Sequence, residues 1–406
     1  MTEVLVGDCR EVMAGMDAAS VESIVCDPPY GLAFMGKSWD HGVPGVPFWT
    51  AALRVAKPGA HLLAFGGTRT HHRLACAIED AGWEIRDCLM WLYGTGFPKS
   101  LDVSKAIDKA AGAEREVVGV WKPTGNARPS DKSGHGAAVS NSSEPRAYKN
   151  VDLDITAPAT DAAQQWAGWG TALKPAWEPI IMARKPLDGT VANNTLTHGC
   201  GGLNIDGCRI DLGDEYDPSK VQRQRASGTA NIKGAFGAES LVGKEVATYK
   251  PGGRWPANLI LDEQAGAMLD EQAGGRPSRG GMAFSVRNIY GGQDSLSYAN
   301  DDRREIGFGD TGGASRFFYC PKASKAERGE GNTHPTVKPI ALMRYLCRLV
   351  TPPGGTVLDP FAGSGSTLLA AQAEGFAAIG IEIDEAYAEI ARARLEGVEC
   401  KTLFGT

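Results

Sequence analysis

The chain reads as an α/β protein built on a doubly wound, mostly parallel sheet that carries a large insertion. Two observations predict this. Short apolar runs alternate with helical stretches before residue 100 and again after residue 330, the pattern of strands joined by crossover helices. Between these blocks, residues 186–330 are rich in Gly, Asn and Arg and hold few long periodic segments.

Taken in order, Leu5 to Gly7 is a short strand that stops at Asp8, and Asp8-Cys9-Arg10-Glu11 opens a helix. Val21 to Cys26 is a buried strand, ended by Pro28 and Pro29. A loop rich in Gly and Trp, Gly31 to Pro47, leads to a helix that ends at Lys57-Pro58-Gly59. His61 to Phe65 is a strand, Thr70 to Ala81 a helix and Trp83 to Tyr93 a strand. Residues 122–165 are polar and poor in aliphatics, which predicts a flexible loop. Glu178 to Arg184 recovers a strand. At the far end, strand Thr356 to Leu358, helix Thr367 to Glu374 and strand Ala378 to Asp384 complete the alternation.

Asp27-Pro28-Pro29-Tyr30 is the most informative tetrapeptide. A rigid turn at a strand end holds together a carboxylate, a proline carbonyl and an aromatic ring. An amino group on a nucleobase needs two acceptors for its hydrogens and a flat surface for its ring, and the tetrapeptide offers all three. Tyr30 either stacks on such a ring or caps the strand as a core aromatic.

The second motif is Leu358-Asp359-Pro360-Phe361-Ala362-Gly363-Ser364-Gly365-Ser366-Thr367, which runs from strand through a glycine turn into a helix. Gly363 and Gly365 let the backbone approach a ligand, and the helix start presents unpaired N–H groups. The next strand ends in Glu382, placed to accept from a ribose diol. The loop lacks the third glycine of a dinucleotide fingerprint and the Gly-Lys-Ser/Thr ending of a P-loop. An adenosine cofactor with a ribose and no phosphate fits better, which points to S-adenosylmethionine.

Together the two motifs resemble those of the β-class (permuted) DNA amino-methyltransferases, which act on adenine N6 or cytosine N4. His334-Pro335-Thr336-Val337-Lys338-Pro339 resembles that class's segment ahead of the cofactor strand, and Trp91-Leu92-Tyr93-Gly94-Thr95-Gly96-Phe97-Pro98-Lys99 resembles a loop of its phage-type members. Ser366, where the family often has threonine, and Ala362, where glycine or a large residue is common, depart from the pattern. The resemblance implies a permuted, seven-stranded sheet. Residues 1–121 would form the catalytic half, 122–165 a polar loop and 166–185 a return to the sheet. Residues 186–330 would recognise the target, and 331–406 would bind the cofactor.

Within that frame Asp27, Pro28, Pro29 and Tyr30 are the catalytic residues. Asp359, Phe361, Ala362, Gly363, Ser364, Gly365, Thr367 and Glu382 line the cofactor. Asp8 either contacts the cofactor's adenine or caps its helix. Thr336 and Lys338 either approach the methionine carboxylate or shape the turn, and Phe361 lies beside the adenine or packs. Asp27 and the Pro28 carbonyl would accept the amine's hydrogens and free its lone pair for in-line transfer, on a base flipped out of the duplex. In this family Asp-Pro-Pro-Tyr is commoner with adenine and Ser-Pro-Pro-Tyr with cytosine, so adenine N6 is the expectation and N4-cytosine the alternative. An RNA or protein-amide methyltransferase usually leads this turn with Asn, and a non-catalytic DNA-binding module would be expected to lose Asp27 or a loop glycine.

Composition agrees. The net charge of −6 over 406 residues is uneven, because residues 1–30 and 374–399 each carry net −5. The remainder is positive, and Lys220, Arg223, Arg225 and Lys233 lead a basic stretch fit for double-stranded DNA. Nine scattered cysteines without a Cys-x-x-Cys, and His71 and His72 without further ligands at metal spacing, predict reduced thiols and no metal. The opening residues read as a strand rather than a signal peptide, so the expected place is the cytoplasm of a bacterium or of a phage-infected host. A homodimer, and a cognate restriction nuclease on a separate chain, are partners the resemblance would allow.

Overall fold

The computed structural model describes residues 2–32, 40, 42–96, 100–121, 153–212, 253–277, 311–321 and 337–397. The strands are β1 (Thr2–Val6), β2 (Val21–Cys26), β3 (Ala56–Phe65), β4 (Glu84–Leu92), β5 (Val117–Trp121), β6 (Leu153–Thr156), β7 (Trp177–Arg184), β8 (Leu259–Leu261), β9 (Arg276–Pro277), β10 (Thr311–Gly312), β11 (Thr356–Asp359) and β12 (Ala377–Glu382). Among the described residues the main sheet has the order β1-β12-β11-β2-β3-β7-β4-β8. It is mostly parallel, with β7 antiparallel to β3.

β2 sits mid-sheet and is buried on both faces, as its near-continuous apolar run requires. Ile24 and Cys26 face a layer containing Trp49, Leu74 and Ile78, while Val25 faces the layer of Leu342, Leu346 and Leu368. Each such side chain contributes about 1.5–3 kcal/mol of burial. Helix Ile340–Val350 buries seven of its side chains, and helix Ser366–Ala373 is buried through most of its length. Among the described residues, no helix is long and apolar enough to cross a membrane.

The chain divides into two compact units, Met1–Leu92 with Glu178–Thr406, and Tyr93–Trp177. The second unit holds the β5–β6 hairpin, helix Val103–Ala110 and helix Asp161–Gln165. Its anchor is buried Asp108, which accepts from Arg115 Nη1 at 2.5 Å, Ala159 N at 3.0 Å and Thr160 Oγ1 at 2.8 Å.

Three sequence expectations need correction. Helix Val46–Val55 stops before Lys57-Pro58-Gly59, which lies inside β3. The β2–β3 register jumps from Val21↔Ala56 to Ser23↔His61, so the Pro-Gly step is a bulge, braced by Asn194 Nδ2 donating to Pro58 O at 3.0 Å. The described part of the expected polar loop contains β6 and a helix whose cap, Thr160, accepts from Ala163 N at 3.1 Å. The main sheet has eight strands rather than seven, because β8, drawn from the 186–330 stretch, pairs parallel with β4 at the edge.

Candidate active site

Ligand crevices open at the carboxyl ends of parallel strands where the winding reverses. Here the sheet winds from β2 outward through β3 on one side and through β11, β12 and β1 on the other. β11 pairs with β2 at Val357↔Ser23 and Leu358↔Ile24, so the two motifs lie side by side although more than 300 residues separate them.

The Asp27 carboxylate is held by two donors. Tyr30 Oη donates to its Oδ1 at 2.8 Å, and Lys338 Nζ to its Oδ2 at 2.7 Å. Tyr30 Oη also lies 3.0 Å from Glu178 Oε2 and 3.1 Å from Lys338 Nζ, and Lys338 reaches Glu178 at 3.2 Å. Lys338 is 9 % exposed, and burial opposes its charge, yet Asp27 and Glu178 outweigh burial and hold its pKa above the ordinary lysine value. Burial first, and then the Asp27 and Glu178 charges, push the Tyr30 hydroxyl well above its usual range. Lys338 also sits over the rings of Phe65 and Tyr30, at 4.7 and 5.3 Å from their centroids. The Tyr30 carbonyl accepts from Thr70 Oγ1 at 2.7 Å, which pins the turn. Pro28 is buried and Pro29 half-buried.

The cofactor loop is organised by its backbone. Gly363 (φ 52°) and Gly365 (φ 79°) occupy the left-handed region, and Gly365 caps helix Ser366–Ala373. Gly363 N donates to Glu382 Oε2 at 2.8 Å, Asp384 N to Glu382 Oε1 at 2.9 Å, and Ala362 N to Ile381 O at 2.9 Å. Arg394 Nη1 donates to Ser364 O at 2.5 Å and to Ser364 Oγ at 3.0 Å, riveting the loop from helix Glu385–Glu396. Asp359 is buried and accepts from Phe361 N at 3.0 Å and from the Thr367 hydroxyl. Burial lifts its pKa to about 7 against those hydrogen bonds, with Asp27 and Glu382 adding to the rise. Phe361 is half-buried against Phe48 and Trp49, with ring centroids 6.1 and 6.0 Å away. Asp8 caps helix Cys9–Gly15 through Arg10 N at 2.9 Å, and it pairs with the Arg10 guanidinium at 2.5 Å.

The model of the DNA methylase family of N6/N4 type matches residues 21–393. The chain belongs to that family. Enzymes of the family use S-adenosylmethionine as methyl donor. Among relatives, the type II methyltransferase M.ScaI of Streptomyces caespitosus is 42% identical over 89 residues, 22% of this chain and 29% of that protein. M2.DpnII of Streptococcus pneumoniae is 43% identical over 72 residues, 18% of this chain and 26% of that protein. The chain thus spans under a third of the length of these curated relatives. Two solved structures overlay loosely. M1.HpyAVI has a TM-score of 0.42 and 12% identity, covering 98% of this chain and 100% of that one. The cytosine-N4-specific PvuII DNA methyltransferase has a TM-score of 0.43 and 12% identity, covering 98% and 89%.

This family member gathers some of the sequence-predicted residues and leaves others apart. Asp27, Tyr30 and Lys338 form one cluster, in which Lys338 serves the carboxylate of the turn. Asp359, Ala362, Gly363, Ser364, Gly365, Thr367 and Glu382 form the neighbouring loop. Thr336, Lys220, Arg223, Arg225 and Lys233 lie outside the described residues. Among the described residues, no group of three or more His, Cys, Asp and Glu side chains converges as a metal site requires.

Sequence reasoning missed two residues of this site. Glu178 is a lone acid at the head of an apolar strand, and that break in the apolar run was the available signal. Gly380 is the other. A Cβ there would stand 2.5 Å from Leu368 Cδ1 and 2.9 Å from Ala362 Cβ, so only glycine lets the loop settle on β12.

Proposed function

We propose that the chain transfers a methyl group from S-adenosylmethionine to the N6 amine of an adenine flipped out of double-stranded DNA. The observation that carries this reading is the adjacency of the Asp27 turn and the glycine loop at the ends of two paired strands.

The loop's donor set fits the cofactor. Glu382 keeps acceptor capacity beyond its two backbone N–H partners and would hold the ribose diol. Gly363, Ser364 and Gly365 would let the cofactor approach bare backbone, Phe361 would flank its adenine, and Asp8 would contact the adenine amine. Bound S-adenosylmethionine supplies an electrophilic methyl group. The protein supplies geometry and acceptors. Each Asp27 oxygen has one donor and at least one free lone pair, so the carboxylate can accept one amine hydrogen while the Pro28 carbonyl takes the other. The nitrogen lone pair is thereby drawn out of the ring. Tyr30 borders the same turn as a flat surface for the base.

The Asp27 lead supports adenine over cytosine. The basic side chains Lys220, Arg223, Arg225 and Lys233 would follow the DNA backbone. Incubating the full chain with labelled S-adenosylmethionine and unmethylated DNA, then separating the nucleosides by mass, tests the reading. N6-methyladenine is expected. N4-methylcytosine would move the target base, and the absence of both products would overturn methyl transfer to DNA.

A further inference from the structure

Three charged groups, two acids and one base, crowd the turn beside the Tyr30 hydroxyl. Asp27 and Glu178 are both within salt-bridge distance of Lys338, at 2.7 and 3.2 Å. The Tyr30 hydroxyl has one proton and two carboxylate neighbours, Asp27 Oδ1 at 2.8 Å and Glu178 Oε2 at 3.0 Å. With Tyr30 neutral, two carboxylates and one ammonium leave the cluster with net charge −1. Were Glu178 absent, Lys338 would cancel Asp27 alone, and the acceptor facing the target amine would be weakened by its own ion pair.

Glu178 reaches this place because β7 runs against β3. Ile180 pairs with Phe65, and Gly66 N donates to Pro179 O at 2.9 Å, so the start of β7 lies at the carboxyl ends of the parallel strands. An acid at the head of a parallel strand would lie at the opposite edge of the sheet.

We propose that Glu178 is a positioning residue for Asp27: by sharing the Lys338 ammonium and the Tyr30 hydroxyl, it keeps the Asp27 carboxylate oriented and electrostatically available to the target amine. The inference rests on the methyl-transfer reading above. As the amine's lone pair forms the new N–C bond, the donor's S–C bonding pair would stay with the departing thioether, and the nitrogen would carry positive charge until one N–H proton passes to solvent water. A cluster of net charge −1 beside that nitrogen stabilises the developing cation, whereas a neutral one does not. The groups facing Asp27 are Tyr30 on its own turn, Glu178 on β7, Lys338 ahead of helix Ile340–Val350, Asp359 on β11 and Cys26 beneath it.

The test compares the full wild-type chain with Glu178→Gln and Glu178→Asp, following labelled methyl transfer from about pH 5 to 9 together with cofactor affinity. Glu178→Gln keeps the side chain's shape and removes its charge. Its kcat is expected to fall about tenfold or more. The acid limb of its activity profile is expected to move to lower pH, because an acid that shares the Lys338 ammonium has lost its charge. Cofactor affinity is expected to be unchanged. Glu178→Asp keeps the charge and is expected to retain the wild-type acid limb, and it carries the test if the Gln variant does not fold. An active wild type whose Gln variant matches it in kcat and acid limb overturns this proposal alone. Equal losses in both variants with an unmoved limb also overturn it, as a structural role would give them. A wild type that methylates neither base overturns the underlying reading, and this proposal with it.

Discussion

The ends of β2 and β11 are neighbours, yet they are built on different principles. The turn after β2 is held by side-chain charge from three chain segments: Asp27 and Tyr30 on the turn, Glu178 on β7, and Lys338 ahead of a helix. The loop after β11 is held mainly through its own backbone groups: Ala362, Gly363 and Gly365 donate to Ile381 O, Glu382 Oε2 and Ala362 O, and Ser364 O accepts from Arg394. A charge-built edge is sensitive to the loss of one ion and tolerant of small changes of shape. A backbone-built loop is the reverse, sensitive to a single added Cβ and indifferent to much of its side-chain chemistry.

The largest effect should come from the charged edge. Asp27→Ala is expected to lower methyl transfer on the order of 10³-fold or more, while calorimetry finds cofactor affinity little changed. Lys338 keeps Glu178 at 3.2 Å in that variant, so its ammonium is not stranded and the fold should hold. Full activity would break the contrast at its root.

The loop's weak point is volume. Gly380→Ala would place a Cβ 2.9 Å from Ala362 Cβ and 2.5 Å from Leu368 Cδ1. Denaturant unfolding is expected to show a loss of about 1–3 kcal/mol, with cofactor affinity falling because Ala362 anchors the loop. A Gly380→Ala variant of unchanged stability and affinity would show that the loop is not set by backbone approach.

Asp359 sharpens the comparison with the smallest effect, since it is the one buried acid of the loop's own strand. Its pKa is raised by burial to about 7 from an ordinary value of 3.8. Between those values the folded chain holds a proton that the unfolded chain has released, so stability falls as pH rises from about 4 to 7. Asp359→Asn removes the titration, and unfolding measured across that window should then give a flatter slope. An unchanged slope would assign it to other groups.

Much of this was legible because it is local. Asp27-Pro28-Pro29-Tyr30 and the Asp359–Thr367 loop are contiguous, and prolines and glycines dictate their own backbone wherever they stand. The resemblance to the permuted class also implied that the strands of the two motifs share one sheet. Less legible were features set by pairing. Lys57-Pro58-Gly59 carries a helix-stop signature, yet Gly59 N donates to Lys185 O at 3.2 Å and the segment becomes a bulged strand. Lys338 stood in a recognisable segment with two roles open, and only its 2.7 Å approach to Asp27 revealed a partner.

By itself, then, the sequence determined the chemistry on offer: an acid on a rigid turn, a bare glycine loop and a second acid one strand further on. It determined these because each is a short-range consequence of residue type and strand period. The tertiary structure alone decided which charges share a space. Glu178 joins Asp27 only because β7 runs antiparallel to β3, and Gly380 matters only because helix Ser366–Ala373 and Ala362 press on β12. Strand direction and close packing are properties of neighbours, which no single segment carries.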